Sequence, residues 1–183
     1  MNTDRNPLLG ALAGDIIGST YEFNPVKRDD FELFPLKSTF TDDSVLTIAV
    51  ADVLVNNADY AVTFKRYTRN YPGRGYGGRY IQWALSESAN PYNSYGNGSA
   101  MRVSPVGFFF NSEEDVLVEA ARSAIPTHNH PEGVKGAQAA ALAVFYARQK
   151  MEKEYMRAML AEKFDYNLSH SLDSLRTSYV IDE

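Results

Sequence analysis

The sequence predicts an all-α fold, and three observations favour it. Apolar residues recur at helical spacing along most of the chain, in the stretches 7–13, 44–53, 60–67, 80–85, 112–124, 133–148 and 151–163. The stretch 133–148 is rich in alanine, which permits close helix packing, so we expect it at the centre of a helical bundle. The apolar stretch 103–110 is broken by Pro105 and Gly107, and we expect a buried connector there. A length of 183 residues predicts one domain with one core.

Composition narrows the class of protein. A formal net charge of −5 and a pI near 5.2 argue against binding to a nucleic-acid backbone, so we expect no nucleic-acid partner. The chain has no cysteine, which excludes disulfides and thiolate metal sites. No stretch approaches the length of a membrane span, and the first residues lack the pattern of a signal peptide. We therefore expect a cytoplasmic protein without a membrane partner.

Several predicted helices carry recognisable start signals. Asn6 precedes Pro7, which suits the first position of a helix. Asp59 is expected to cap the helix predicted at 60–67. Ser112 is followed by acids, which favour the positive N-terminal end of the helix predicted at 112–124. Pro131 is expected in the first turn of the alanine-rich helix. Residues 24–39 lack periodicity and are expected to form a loop.

The stretch Phe40-Thr-Asp-Asp-Ser44 is the first candidate site. Thr41, Asp42 and Asp43 offer three hard oxygen donors, the ligand type that Mg²⁺ prefers. The same residues lie where a loop gives way to an apolar helix. Thr41 or Asp42 can therefore equally be a helix cap, with the second acid beside the positive helix end.

Two glycine-rich stretches, 71–79 and 91–102, flank a short helix that contains Trp83. Closely spaced glycines before a helix let backbone N–H groups turn towards an anion. The second stretch adds hydroxyl, amide and aromatic side chains that suit a sugar or a base. Together they favour a phosphosugar or nucleotide pocket, with flexible surface turns as the alternative.

Glu22 and the His128-Asn-His130 segment complete the candidate residues. Glu22 lies between two aromatic residues, and it is either an exposed loop residue or, if buried beside a metal, a base or a ligand of a metal-bound water. A His-x-His pair can bind zinc, but the oxygen donors of the Thr41 to Asp43 stretch do not suit a zinc site. We therefore favour a hydrogen bond from this histidine segment to a sugar or phosphate, or a structural cap, over metal ligation.

Taken together, five motifs resemble the ADP-ribosylglycohydrolase family of all-helical enzymes. They follow the family's order along nearly the whole chain. The motifs are Gly10-Ala-Leu-Ala-Gly-Asp-Ile-Ile-Gly18 with Glu22, Phe40-Thr-Asp-Asp-Ser44, Pro72-Gly-Arg-Gly-Tyr-Gly-Gly78, Tyr92-Asn-Ser-Tyr-Gly-Asn-Gly-Ser-Ala-Met-Arg-Val-Ser-Pro-Val-Gly107, and Thr127-His128.

The resemblance implies a compact orthogonal bundle of helices and hydrolysis at the anomeric carbon of ADP-ribose. It implies a site for two Mg²⁺ ions with Thr41, Asp42 and Asp43 on one side, and Glu22 as the acid near the scissile sugar. It further implies that two loops hold the pyrophosphate and distal ribose, through Gly73, Gly75, Tyr76, Gly77, Gly78, Ser94, Tyr95, Gly96 and Asn97. His128 would contact the ligand from the opposite wall.

The family carries a second metal motif, Asp-x-Asp-Thr, near its C-terminus, and this sequence contains none. The resemblance therefore implies at most a partial Mg²⁺ site, in a domain spanning 1–183 that is incomplete at its C-terminus. Three hypotheses follow: a shortened hydrolase acting on an ADP-ribosylated protein or small molecule, a non-catalytic ADP-ribose binder or structural relative, and a half-enzyme completed by a homo-oligomer or a partner chain.

Overall fold

The computed structural model describes residues 8–178, and the all-α prediction is confirmed over that range. Within it lie ten helices and no strand. The helices are α1 Leu9–Gly18, α2 Asp42–Asn56, α3 Tyr60–Asn70, α4 Gly78–Leu85, α5 Gly98–Met101, α6 Ser104–Phe109, α7 Glu113–Ala124, α8 Pro131–Arg148, α9 Lys153–Phe164 and α10 Leu172–Ser178. None of these helices combines the length and apolar character needed to cross a bilayer. The predicted start at Asn6 and Pro7 lies outside the described residues.

Two long helices organise the core. α8 packs against α5, α6, α7 and α9, and α2 packs against α1, α3 and α6. The alanine-rich helix is therefore central, as predicted, because small side chains let several neighbours approach it. The residues that are completely buried in this core include Ala49, Val50, Phe64, Ala84, Val103, Val106, Val116, Ala120, Ala137 and Leu142.

The connector expected at 103–110 is helical instead, because residues 104–109 form α6. Pro105 lies in its first turn, where no backbone N–H is needed, so the proline does not break the helix. Gly107 allows α6 to touch α8: a Cβ at this position would lie 2.5 Å from the Ala141 carbonyl oxygen and 2.9 Å from the Phe145 nitrogen. The expected burial holds for Val103, Pro105, Val106 and Gly107, whereas Phe109 is 50% exposed.

The predicted helix caps are present where the structure describes them. An Asp59 carboxylate oxygen accepts a hydrogen bond from the Val62 N–H at 2.8 Å. The Ser112 hydroxyl accepts one from the Asp115 N–H at 3.1 Å. Pro131 is the first residue of α8, as expected. These contacts satisfy backbone donors that a helix N-terminus otherwise leaves unpaired.

The loop expected at 24–39 is part of a longer segment without helix, from residue 19 to residue 41. Its two ends lie close together, because the Ser19 hydroxyl accepts a hydrogen bond from the Thr39 N–H at 3.1 Å. The Tyr21 hydroxyl donates to the Glu32 carbonyl at 2.7 Å inside the segment. The chain thus leaves α1 and returns to begin α2 beside it.

Candidate functional site

A cavity of about 480 Å³ lies where the start of α2 meets α1 and the glycine-rich loop before α4. Its walls bring together four carboxylate side chains from three separate parts of the chain. The lining residues are Gly14, Asp15, Gly18, Ser19, Glu22, Thr41, Asp42, Asp43, Gly75, Gly77, Asn97 and Met101. The predicted Glu22, Thr41, Asp42 and Asp43 therefore share one cavity, although Glu22 itself is exposed at its edge.

Asp15 is the one carboxylate lining this cavity that was not among the predicted site residues. It lies in α1 with 9% of its surface exposed, and its carboxylate accepts hydrogen bonds from both Thr41 and Ser44. The Thr41 hydroxyl donates to it at 2.6 Å, the Thr41 N–H at 2.8 Å and the Ser44 N–H at 3.1 Å. The available signal was an acid interrupting an apolar run, which is costly to bury without partners.

Thr41 also caps α2, because its hydroxyl accepts a hydrogen bond from the Asp43 N–H at 3.3 Å. The cap and the site are thus formed by the same residues, so the two alternatives raised by the sequence do not exclude each other. The Asp42 N–H donates to the Arg74 carbonyl at 2.7 Å, which ties the start of α2 to the glycine-rich loop.

Asp42 and Asp43 form a concentrated negative charge at the start of α2. Burial, then the Asp43 charge, raise the pKa of Asp42 to about 7, with smaller contributions from Glu22 and Asp15. Burial, then the charges of Asp15 and Glu22, raise the pKa of Asp43 to about 6. Among residues 8–178, no basic side chain forms an ion pair with either carboxylate.

The loop before α4 approaches this charge through backbone rather than through side chains. Gly75 has φ +91°, a conformation that other residues rarely adopt, and a Cβ there would lie 3.4 Å from an Asp42 carboxylate oxygen. Gly73 has φ +72° in the same loop. The Arg74 guanidinium lies over the Phe40 ring at 3.8 Å from its centre, so it is held to one side of the loop.

A second cavity of about 610 Å³ adjoins the first, since both are lined by Asp42, Gly77, Asn97 and Met101. Further predicted binding residues line its walls, namely Gly78, Ser94, Gly96 and His128. The two glycine-rich stretches therefore meet across one continuous cleft. Besides glycine backbone, its walls include the Asn97 amide, two tyrosine rings and Arg79, which suits a ligand with phosphates and sugars.

Three predicted binding residues are not among those lining either cavity, although all three lie in the described part of the chain. Gly73 is in the loop described above. Tyr76 stacks on Tyr80 at 5.6 Å and donates its hydroxyl to the Tyr71 carbonyl at 2.9 Å. Tyr95 is 72% exposed, with its ring 5.4 Å from that of His130.

His128 lies on the far wall of the second cavity, with only 4% of its surface exposed. Burial, then the positive charge of Arg102, lower the pKa of His128 to about 4, so the imidazole is neutral near neutral pH. His130 is the N-cap of α8, where its Nδ1 accepts a hydrogen bond from the Glu132 N–H at 3.1 Å. The two histidines thus have different surroundings, and His130 fits the structural cap.

The donor set at the start of α2 fits a Mg²⁺ ion that keeps several water ligands. Asp42 and Asp43 supply two carboxylates without a cationic partner, and Glu22 borders the same cavity. Within the described residues, no group of three or more acidic or histidine side chains forms a closed metal cage. Mg²⁺ is commonly bound through one or two carboxylates plus waters and substrate oxygens, so the fit does not require such a cage.

Comparisons with known proteins point to a single family. A family model described as ADP-ribosylglycohydrolase matches residues 5–179. The chain is similar to proteins named ADP-ribosylhydrolase ARH3, with 31% identity to that of Xenopus tropicalis over 79% of this chain and 50% of the relative. It is 30% identical to that of Homo sapiens over 88% of this chain and 54% of the relative, and 29% identical to that of Danio rerio over 86% and 52%.

The match to the family model covers nearly the whole chain, and the helical fold agrees with it. The chain belongs to the ADP-ribosylglycohydrolase family. It spans about half the length of the curated relatives that it matches.

Proposed function

We propose that the chain is a Mg²⁺-dependent hydrolase that binds ADP-ribose in the continuous cleft and cleaves its glycosidic bond to a modified protein or small molecule. The observation that carries the proposal is the shared wall of the two cavities. Carboxylates converge at one end of the cleft, whereas glycine backbone, Ser94, Asn97 and His128 line the other. The names of the relatives, ADP-ribosylhydrolases, agree with this substrate class.

The residues that would hold Mg²⁺ are Thr41, Asp42 and Asp43, with Glu22 at the edge of the same cavity. When bound, the metal supplies positive charge that can orient ribose hydroxyls and a water molecule. The raised pKa values of Asp42 and Asp43, caused first by burial and then by neighbouring carboxylates, agree with this assignment, because a bound cation would stabilise both side chains in their charged form. Asp15 supports the metal end by holding Thr41 and the first turn of α2 in place.

The remaining groups of the cleft have binding roles in this proposal. Backbone N–H groups of the Gly73 to Gly78 loop, together with those of Tyr95 and Asn97, would provide donors for the pyrophosphate. The N–H groups of Ser94 and Gly96 are already bonded to the Thr127 carbonyl and the Ser94 hydroxyl. Glu22, exposed to solvent at the cavity edge, would accept a proton from the attacking water and then return it to the departing oxygen or nitrogen atom of the modified group. Holding sugar, phosphates and water in one fixed geometry would lower the entropic part of the barrier.

The experiment that tests the proposal is titration calorimetry of Mg²⁺ with and without ADP-ribose, followed by release of ADP-ribose from modified peptides. We expect Mg²⁺ binding that Asp42→Asn and Asp43→Asn abolish, and that the exposed Asp29→Asn leaves intact. If the wild type neither binds Mg²⁺ nor releases ADP-ribose from the modified peptides, the proposal is overturned.

A second candidate function is an ADP-ribose binder without hydrolysis. The observation that favours it is the lack of a closed cage of acidic or histidine ligands within residues 8–178. ADP-ribose binding that is indifferent to Mg²⁺, with no hydrolysis, would select this candidate. Light scattering on the same samples reports whether a second copy of the chain takes part.

A further inference from the structure

Arg102 is a completely buried charge that the proposed function has not used. Its guanidinium lies 4.2 Å from the centre of the Phe64 ring, and its Nη2 donates to the Ser123 carbonyl at 2.9 Å. The same nitrogen donates to the Thr127 hydroxyl oxygen, also at 2.9 Å. Burying an unpaired cation is costly, so these contacts call for a physical explanation.

The direction of the next hydrogen bond follows from the chemistry of the donors. A guanidinium has N–H donors and no acceptor, so the Thr127 oxygen accepts from Arg102. The single hydroxyl proton of Thr127 is then left for another acceptor. His128 Nδ1 lies 2.7 Å from this oxygen, and it is the one acceptor hydrogen-bonded to the Thr127 hydroxyl among residues 8–178.

The consequence for His128 is a defined tautomer. Nδ1 accepts the Thr127 proton, so in the neutral imidazole the ring proton is on Nε2. The neutral form is the relevant one, because burial and Arg102 lower the pKa of His128 to about 4. Nε2 has no hydrogen-bond partner among the described residues.

The Nε2 edge of the ring faces the glycines of the second cavity. A Cβ at Gly98 would lie 3.1 Å from both Nε2 and Cε1, and one at Gly96 would lie 4.0 Å from Nε2. Both glycines and His128 line this cavity. The missing side chains therefore leave the Nε2–H group open to a ligand oxygen.

We propose that Arg102 and Thr127 are positioning residues that hold His128 in its Nε2–H tautomer, which presents a fixed hydrogen-bond donor to an oxygen of the ligand. The identity of that ligand, ADP-ribose, rests on the function proposed above. The tautomer itself does not rest on it, because it follows from contacts within the chain.

The first test is imidazole NMR on the ¹⁵N-labelled full chain near neutral pH. The chain has three histidines, so His130→Gln and His170→Gln assign the His128 signals. We expect a protonated Nε2 and an unprotonated Nδ1 in the wild type, a mixed tautomer in Thr127→Val, and the wild-type pattern in Thr127→Ser. A protonated Nδ1 in the wild type, or an unchanged tautomer in a folded Thr127→Val protein, would overturn the proposal.

The second test measures ADP-ribose affinity by calorimetry on the wild type, Thr127→Val and Thr127→Ser. Thr127→Val should weaken binding about tenfold, because the histidine no longer offers its donor in one orientation, and Thr127→Ser should restore it. Equal affinity in the wild type and Thr127→Val would overturn the donor role. If the wild type binds no ADP-ribose at all, the proposed function fails, and the NMR spectra still decide the tautomer.

Discussion

Thr41 donates its hydroxyl proton to Asp15 at 2.6 Å, so the residue that caps α2 is bound to the interior of α1. The same carboxylate accepts the Thr41 N–H at 2.8 Å. This pair fixes the orientation in which Asp42 and Asp43 enter the cavity. The rigidity of the carboxylate end of the cleft therefore depends on a residue in a different helix.

Asp15→Asn should destabilise the protein by about 2 kcal/mol, because an amide has one acceptor oxygen where the carboxylate accepts from four donors. Denaturant unfolding of the variant measures the loss. Asp29→Asn is the matched control, since Asp29 is exposed, and it should change the free energy of unfolding by less than about 0.5 kcal/mol. Equal effects of the two substitutions would contradict the role assigned to Asp15.

Metal-free stability should fall as pH rises from about 4 to about 7. The folded-state pKa values of Asp42 and Asp43, about 7 and about 6, lie above the usual aspartate value of 3.8, so the folded state binds these protons more tightly than the unfolded state does. The stabilisation from this tighter proton binding is complete at pH values below the unfolded-state pKa. It is lost as the pH rises through the folded-state pKa values of the two aspartates. Thermal unfolding in EDTA measures it.

Asp42→Asn should remove much of that pH dependence and raise the metal-free melting temperature near pH 8 by about 2 to 6 °C. Mg²⁺ should stabilise the wild type and have little effect on the variant. An unchanged pH profile in the variant would show that the charge pair is not the cause.

Gly75→Ala should cost about 1 to 2 kcal/mol, because the backbone at φ +91° is strained for any residue with a Cβ. Gly136→Ala in the interior of α8 is a suitable control. Its Cβ would meet only the Ala100 Cβ at 4.0 Å, so helix propensity should make it neutral or stabilising by up to about 1 kcal/mol. Paired denaturation curves test the contrast, and a harmless Gly75→Ala would contradict it.

His128 should remain neutral until the pH approaches 4. Its folded pKa lies below the ordinary histidine value of 6.5, so its contribution to stability is present above pH 6.5 and is lost progressively as pH falls from about 6.5 towards 4. An NMR titration of the His128 ring should give a midpoint near 4. A midpoint of 6 or higher would show that the imidazole is not desolvated by its surroundings.

The sequence was a good guide wherever the determining signal is local. The starts of α3 and α7 were predicted because Asp59 and Ser112 satisfy backbone donors within their own first turns. Helix α6 was missed because Pro105 and Gly107 resemble breaks, and only the contact with Ala141 across the core reveals why glycine is needed.

The candidate site likewise contains residues that a local sequence signal reveals and residues that only tertiary contacts reveal. The Thr41 to Asp43 stretch and the glycine-rich loops were found because their chemistry is concentrated in a few consecutive residues. Asp15 was missed as a site residue, because its partners Thr41 and Ser44 are distant in the chain. The link from Arg102 to His128 through Thr127 likewise depends on tertiary packing, which periodicity does not report.

The hydrogen bond between Ser19 and Thr39 closes a long surface excursion at its base. Closing a longer loop costs little additional entropy, so the outer part of this excursion, near residues 26–30, can accept insertions or deletions while the carboxylates stay in place. That part of the chain is exposed. Evolution could therefore vary the length of this loop with no change to helices α1 and α2, which it joins.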